Sequence, residues 1–379
     1  MAIQAVWIDS ISKLDQKFID QCFPPLLEGG WWYAALEQAE LNDQFQFHYL
    51  ILKKDDRNVG IVPTFTMDVP MELVAPALVN RVLQAGGRLL SRLRHQKTLF
   101  VGSPCADEGT VGFIPGEKLA DFLAVITAEL EKKGKAIGTS LLVWKDFPET
   151  DWPTLNTLIQ KHKYFRIPSF PGTTVPLPPG GYEAYLKQLD SENRYKLRKK
   201  LRKSHAMGEL AISCTQQPDP QTQAEIYTLF MNTYHRGKVK FERLTPQFFA
   251  AIARAPNSWF LMLRDKNNHQ MTAFMLLFLL DGKVINKFIG LDYNYSGDWF
   301  MYFRLWDEAV RWATERGANQ LQSGQTGYFA KRDVGHKLIP LCNYCRHRHS
   351  LLNMILAAVG KRITWATLDP DLPPGTGCQ

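Results

Sequence analysis

An α/β protein made of two copies of one unit is the fold predicted for this chain, and three observations predict it. Strand-like and helix-like runs alternate along most of the 379 residues. The order of those runs over 44–170 recurs over 258–348, although the two copies share negligible sequence identity. Between them lies PGTTVPLPPGG, whose proline and glycine content suits a boundary between domains. We place that boundary near Gly180, giving an N-terminal unit over 1–180 and a C-terminal unit over 181–379. A chain of this length exceeds one ordinary domain, and each half is long enough to bury its own core.

Composition narrows the class. Hydrophobic residues make up 45% and charged residues 22%, which excludes a disordered chain. No apolar run reaches the roughly 18 residues that cross a bilayer, and the longest, Met271 to Leu280, has strand length and ends at an Asp-Gly turn. The first residues, MAIQAVWIDSISKLDQ, lack the basic and then apolar order of a secretory signal, so a cytoplasmic location is expected. The six cysteines are scattered and are expected to be free thiols. Net charge is +8, and residues 194–203 (RYKLRKKLRK) hold seven basic side chains and no acid. A polyanion should therefore be drawn to one place.

Taken in order, residues 11–41 read as helical around Pro-Pro and Gly-Gly interruptions, with Trp31, Trp32, Ala35 and Leu36 as an apolar stripe. FHYLILKKDDRNVGIVPTFTMDV is two strands around a polar turn. An arginine-rich helical segment from Pro70 to Lys97 interrupts. After it come TLFVGSP (strand), CADEGTVGFIPG (loop), EKLADFLAVITAELEKKG (helix), TSLLVWKDF (strand), WPTLNTLIQKHK (helix) and YFRIPSF (strand). The second half repeats the pattern. WFLMLRDKNNHQMTAFMLLFLL is two strands, KVINKFIGLDY a third, NYSGDW a loop, FMYFRLWDEAVRWATERG a long helix and ANQLQSG a strand, followed by a short helix and a strand leading into CRHRH.

The tandem pattern, the basic helix that opens the second half, and G-Q-T-G-Y-F-A-K-x-x-x-G-x-x-x-x-P together resemble the tandem GNAT proteins. These include the FemA/FemB/FemX peptidyltransferases and CelD-like predicted acyltransferases. YEAYLKQLDSENRYKLRKKLRKS, IGLDYNYSGDWFMYFRLWDEAVRWATERG and SGQTGYFAK carry the likeness, within residues 181–350. The resemblance implies two GNAT-like domains, each a mixed, mostly antiparallel sheet flanked by helices, and transfer of an acyl or aminoacyl group from a thioester or ester donor to an amine; of these we expect an acyltransferase that moves groups other than aminoacyl groups. It implies acyl-CoA as co-substrate, or a donor on acyl carrier protein, and an amine-bearing acceptor such as a peptide. An aminoacyl-tRNA donor is the alternative; Fem enzymes commonly carry a long coiled-coil arm for tRNA, and this chain has no heptad run of that length. A protein of the same fold that binds nucleic acid without catalysis is a further alternative.

Particular residues follow. The helix from Trp299 to Arg316 is expected to bury Phe303, Trp306, Val310 and Ala313 and to point Arg304, Asp307, Glu308, Arg311 and Glu315 outward, with Ser296 as N-cap and Gly317 as stop. Its N-terminal N–H groups offer a phosphate site, so Tyr295, Ser296, Gly297, Asp298 and Trp299 are expected to hold the donor. Family loops there read Q/R-x-x-G-x-G/A, whereas this chain has one glycine. The matching loop of the first half carries Asp107, Glu108 and Glu117, which repel a pyrophosphate, so the donor is assigned to the second half.

An acceptor lysine has a pKa of about 10.4, so a base offsets a cost of roughly 4–5 kcal/mol near pH 7. Asp292, at the end of its strand, is the expected base, with Gln322 and Gln325 as positioning groups. Tyr328 and Lys331 are the expected proton donors to the leaving thiolate or oxyanion. Arg194, Arg198 and Arg202 are expected on one helical face for coenzyme A phosphates, a carrier protein or tRNA.

Cys342-x-x-Cys345-x-His347-x-His349 has metal-ligand spacing, but the resemblance predicts an ordinary edge strand there. The helix Leu351 to Val359, followed by Lys361 and Arg362, is expected to dock on the sheet rather than on a membrane surface. Central to all of this is a parting of two strands between about Val284 and Gln322, with a thioester in the opening.

Overall fold

The computed structural model describes residues 3–23, 28–70, 95–237 and 242–375. The expected helix between Pro70 and Lys97 lies almost wholly outside them; His95–Lys97 already belong to a strand. The strands are β1 Ile3–Ile8, β2 Gln46–Lys54, β3 Arg57–Pro70, β4 His95–Val101, β5 Gly112–Phe113, β6 Leu141–Pro148, β7 Phe165–Pro168, β8 Gly172–Pro176, β9 Leu210–Thr215, β10 Ser258–Asp265, β11 Met271–Leu280, β12 Lys283–Leu291, β13 Gln320–Ser323, β14 Lys337–Ile339 and β15 Leu341–His347.

They form two sheets, β1-β2-β3-β4-β6-β15-β7 with β5 beside β3, and β9-β10-β11-β12-β13-β8-β14. Position for position the two orders correspond. Each sheet has one parallel pair, β4 with β6 and β12 with β13, at the same place, and its other pairings are antiparallel. The repeat read from element order is thus a repeat of topology.

The sixth position of each sheet is exchanged. β8 leaves the first half to pair with β13 and β14, and β15 returns from the second half to pair with β6 and β7. Two expectations change as a result. The stretch PGTTVPLPPGG is not simply linker, because its β-branched run Thr173-Thr174-Val175 builds a strand with Val175 fully buried. β15 is an interior strand, not an edge, since β6 and β7 flank it on both sides. Its Cys345 is buried, and His347 Nδ1 accepts the His349 N–H at 3.0 Å. Among the described residues no cluster of His, Cys, Asp or Glu is placed to hold a metal ion. Cys22, Cys105, Cys214 and Cys345 are free, whereas Cys342 is disulfide-bonded, against the expectation of free thiols.

β11 is apolar but for Thr272, whose hydroxyl donates to Leu263 O, because both of its faces are covered. Phe274, Leu276 and Phe278 face a core shared with the helices Gly30–Gln38, Pro220–Arg236 and Pro246–Ile252, while Ala273, Met275 and Leu277 face a second core with Leu186, Leu197, Leu305 and Trp306. The first core joins the two halves. The Trp31 ring lies 4.9 Å from Phe278, and Trp32 lies 5.8 Å from Phe248. The hairpin between β11 and β12 turns on Asp281 and Gly282, at φ of 25° and 80°, as a two-residue turn requires.

The long helix of the second half spans Met301–Glu315. Its N-cap is Phe300, in the left-handed region at φ 43°, and not Ser296, which precedes a short 3-10 turn at Gly297–Trp299. Arg304 and Asp307 are buried rather than outward, because the helices Gly181–Gln188 and Ser191–Met207 cover what would be a solvent face. Asp307 accepts from Tyr182 Oη and from Arg311 Nε at 3.0 Å, and Arg304 Nη1 lies 3.0 Å from His205 Nδ1. Among the described residues no helix is long and apolar enough to cross a membrane.

The exchange of β8 and β15 makes each sheet depend on the far half of the chain. A fragment ending at Gly180 lacks β15, which leaves β7 unpaired and β6 paired on one side only, so we expect no cooperative thermal transition by circular dichroism, in contrast to the full chain. A sharp transition in the fragment would show that the exchange is dispensable.

Candidate active site between the two halves

β12 and β13 are paired only from Lys283 to Asn286 against Gln320 to Ser323. β13 then ends, and among the described residues no strand lies beside Lys287–Leu291 on that side. At the same point the register of β12 against β11 jumps, pairing Leu276 with Phe288 and Leu277 with Asn286, so Lys287 is the extra residue of a bulge. Bulges bend a strand and re-aim a side chain, and here the bulge coincides with the start of the opening. The Leu291 N–H is taken by Thr233 Oγ1 at 3.1 Å. In the first sheet β4 and β6 part likewise after Val101 and Trp144, but the Gly109 N–H bonds Asp146 O at 2.8 Å there. A Cβ on Gly109 would lie 2.2 Å from Lys145 O, so only glycine lets this loop enter.

The re-aimed Lys287 side chain is almost fully buried between two carboxylates of the first half, Glu28 at 2.5 Å and Asp107 at 2.8 Å. Its Nζ also lies 5.0 Å from the Trp32 ring centroid. Next to it, Gln322 accepts from Lys283 Nζ at 3.3 Å and donates to Asp107 at 3.4 Å and to Glu108 at 3.2 Å. Asn286 donates to Ser323 Oγ at 3.1 Å. Glu108 also lines a cavity of about 450 Å³ in the first half, walled by Phe23, Phe113 and Phe147 and carrying Glu117 and Asp151.

Lys331 stands on the short helix Tyr328–Arg332, buried, and donates to Gly324 O. Tyr328 is buried and its hydroxyl donates to Pro171 O at 2.8 Å. Among the described residues no acceptor meets the buried Gln325 Nε2.

The remaining expected residues lie elsewhere. Asp292 is about 16 Å along the strand from Lys287, at roughly 3.3 Å per residue. Its oxygens accept from the Asn294 N–H at 2.9 Å and from Gln270 Nε2 at 3.0 Å, which fixes a turn. With Tyr295, Ser296 and Gly297 it lines a hollow of about 190 Å³ at the N-terminus of the Met301–Glu315 helix. Tyr295 Oη donates to Asp265 at 2.9 Å and accepts from Asn268 at 3.2 Å, and the Trp299 ring packs on Tyr295 at 5.0 Å. Asp298 pairs with Lys203 at 3.0 Å, and Ser204 Oγ donates to Trp299 O, so the basic helix lies against this loop. On that helix Arg194 bonds the Leu186 and Lys187 carbonyls at 3.4 Å, while Arg198 and Arg202 are exposed.

Residues 191–332 match the acetyltransferase (GNAT) domain family. Among solved structures the chain is similar to FemX, with a TM-score of 0.60 and 10% identity over 94% of this chain and 100% of that one. The chain thus carries a GNAT domain in its second half and shares the fold of FemX over both halves. It is also similar to a conserved protein of unknown function from Bacteroides thetaiotaomicron, with a TM-score of 0.53 and 10% identity over 90% of this chain and 99% of that one. A third similar structure is L-PGS from Bacillus licheniformis, with a TM-score of 0.52 and 11% identity over 87% and 93%. At such identity these likenesses carry the fold alone. No curated protein matches the chain by sequence.

Of the expected residues, Gln322 bonds Asp107 beside the opening and Lys331 feels the charge of the same carboxylate, Tyr328 packs instead with Trp365 and Leu372, and Asp292 gathers with Tyr295, Ser296 and Gly297 at the helix N-terminus. Sequence reasoning missed Glu28, Lys283 and Lys287, and read Asp107 and Glu108 only as repelling phosphate. A usable signal existed, because two lysines in the apolar strand KVINKFI need buried anions, and the first half offers acids in CADEG.

Burial disfavours charge on Lys287, but Asp107 and Glu28 outweigh it and hold the ammonium above its ordinary range. Burial raises Asp107, with Glu28 adding to it, so of the two carboxylates it is the one pulled upward; burial raises Glu108 too. Burial brings Lys331 down to about 7, only partly opposed by Asp107. Between pH about 7 and 10.5 the unfolded chain binds a proton at Lys331 that the folded chain does not, so stability rises with pH across that window. Compared with Lys331→Met in urea titrations, wild type should lose on the order of 3 kcal/mol from pH 10 to pH 7 that the variant keeps. Parallel stability curves for the two proteins would contradict the burial of this lysine.

Proposed function

We propose that this protein is an N-acyltransferase that moves an acyl group from an acyl thioester, on coenzyme A or acyl carrier protein, to an amino group of a peptide or small acceptor. The observation that carries this reading is the opening itself. It starts at the bulged Lys287 among groups with shifted proton affinity and ends at a helix N-terminus. An extended thioester donor has the same two ends, an acyl carbonyl and an anion joined by an arm. The N–H groups of Met301 and Tyr302, which have no intrahelical acceptor, suit the anion, with Ser296 and Gly297 beside them and Arg198 and Arg202 on the adjoining helix. Asp298 is neutralised by Lys203, so it opposes an anion less than its sequence suggests.

The division of labour then follows distance. Asp292 lies at the anion end, where its bonded carboxylate shapes the turn, and is too far from Lys287 to serve as base for an acyl group beside it. Glu108 takes that role in our proposal, because its proton affinity is raised by burial and it faces the first-half cavity by which an amine reaches the opening. The amine nitrogen attacks the thioester carbon, its proton passes to Glu108, and the carbon–sulfur bond breaks as the thiolate takes a proton from Lys331, whose pKa near 7 suits the exchange. In this reading Gln325, whose buried Nε2 meets no acceptor among the described residues, holds the carbonyl oxygen. Tyr328 supports the short helix through Pro171 rather than donating a proton.

Aminoacyl-tRNA is the second reading of the donor, favoured by the exposed Arg198 and Arg202 on a helix that lies against the loop. Thiol release from acyl-CoAs of graded chain length, with a primary amine as acceptor, separates the readings. We expect release with at least one chain length, a 10²–10⁴-fold fall in kcat for Lys331→Met and Glu108→Gln, and less than about tenfold for Asp292→Asn. Absence of release at every chain length, with aminoacyl transfer from tRNA instead, would replace the thioester by an ester donor.

A further inference from the structure

The helix Ser350–Gly360 has no charged residue over SLLNMILAAVG. One stripe docks on the first sheet. Leu352, Leu356 and Val359 are half-buried, and Gly360 sits where a Cβ would meet Ile167 at 2.7 Å, so the helix cannot roll to hide more of itself. The opposite stripe, Leu351, Met354, Ile355 and Ala358 at helical spacing, is left to solvent, with Leu351 64% and Met354 63% exposed. A helix on a sheet ordinarily turns a polar face outward; this one turns a second apolar face outward.

Both ends of that stripe are cationic. Arg348 precedes the helix, Lys361 and Arg362 follow it, and all three are exposed. Asn353 Nδ2 donates to Lys163 O at 2.9 Å, which brings the exposed Lys161 and Lys163 of the neighbouring helix end alongside, and Ile159, 38% exposed, lies one turn away on that helix. Among the described residues none of Lys161, Lys163, Arg348, Lys361 and Arg362 is in an ion pair. An apolar stripe between two clusters of unpaired cations matches a surface with an apolar interior and an anionic skin.

We propose that this face seats the protein on an anionic lipid surface, with Leu351, Met354 and Ile355 in the acyl boundary and the five cations among the headgroups. Apolar area and attraction to anionic lipid act together in such binding, and the second is screened by salt. The helix is 11 residues long, too short to span, so the association is peripheral.

The test is co-flotation of the full chain with vesicles of phosphatidylcholine alone and with vesicles containing about one third phosphatidylglycerol, a fraction rich enough to set a negative surface potential. Binding should be at least about tenfold tighter to the anionic vesicles and should weaken as salt rises. Leu351→Ser/Met354→Ser/Ile355→Ser should abolish it while leaving the circular dichroism spectrum and the thermal midpoint close to wild type, because about half or more of each of these residues is already exposed. Met354→Trp supplies a second readout, a blue shift of its emission on anionic vesicles. Equal binding to both vesicle types, or vesicle binding untouched by the triple substitution, would overturn the proposal. So would a native dimer that the triple substitution converts to a monomer without affecting vesicles, since the face would then belong to a second copy of this chain.

Discussion

Burying one lysine between two acids from the other half of the chain is the constraint on which the rest of this structure turns. Lys287 comes from the second half, Glu28 and Asp107 from the first, and all three lie in the interior. Such a cluster adds little net stability over an apolar replacement, but removing one partner from it costs roughly 3–5 kcal/mol because a charge is left stranded. Its effect is therefore on geometry. The two halves must sit so that the acids of one loop meet the bulge of β12, and that places the first-half loop at the mouth of the second-half opening. Gln322, Lys283 and Glu108 extend the same network, so the groups with shifted proton affinity are gathered where the two strands part.

The strand exchange and the shared core keep that placement fixed. β8 and β15 tie each sheet to the distant part of the chain, and Trp31 and Trp32 wedge against Phe278 and Phe248 on the face of the second sheet. With aromatic rings packed edge to face and backbone ladders crossing in both directions, the halves have little freedom to hinge. Two openings follow from the repeated parallel pair, yet they differ in form. The first is closed by its own loop through Gly109, and the cavity left beside it is acidic; the second keeps its strand free and ends at a helix N-terminus.

Much of this was legible in the sequence because it is local. Element order, the Asp281-Gly282 hairpin, the amphipathic Met301–Glu315 helix and the basic Ser191–Met207 helix all follow from periodicity and turn residues within short windows. The exchange was not legible, since Val175 in β8 and Tyr344 in β15 are equally content in either sheet and nothing nearby records the partner. Arg304 and Asp307 misled for a related reason: a charged residue reads as solvent-facing until other helices cover it and supply Tyr182, Arg311 and His205. The site was half legible. The turn after β13 with Lys331 carries a family pattern, whereas Glu28 and Asp107 meet Lys287 across separations of 259 and 180 residues. The bulge that re-aims Lys287 leaves no mark in a strand otherwise rich in β-formers.

The central claim is that the donor occupies the opening between β12 and β13, and hydrogen exchange on the full chain with a non-transferable acyl-CoA thioether tests it most directly. The account predicts slowed exchange at Phe288–Gly290 and at the Met301 and Tyr302 amides, with residues 111–120 of the first half unchanged. Slowing confined to the first-half cavity, with none along β12, would contradict it.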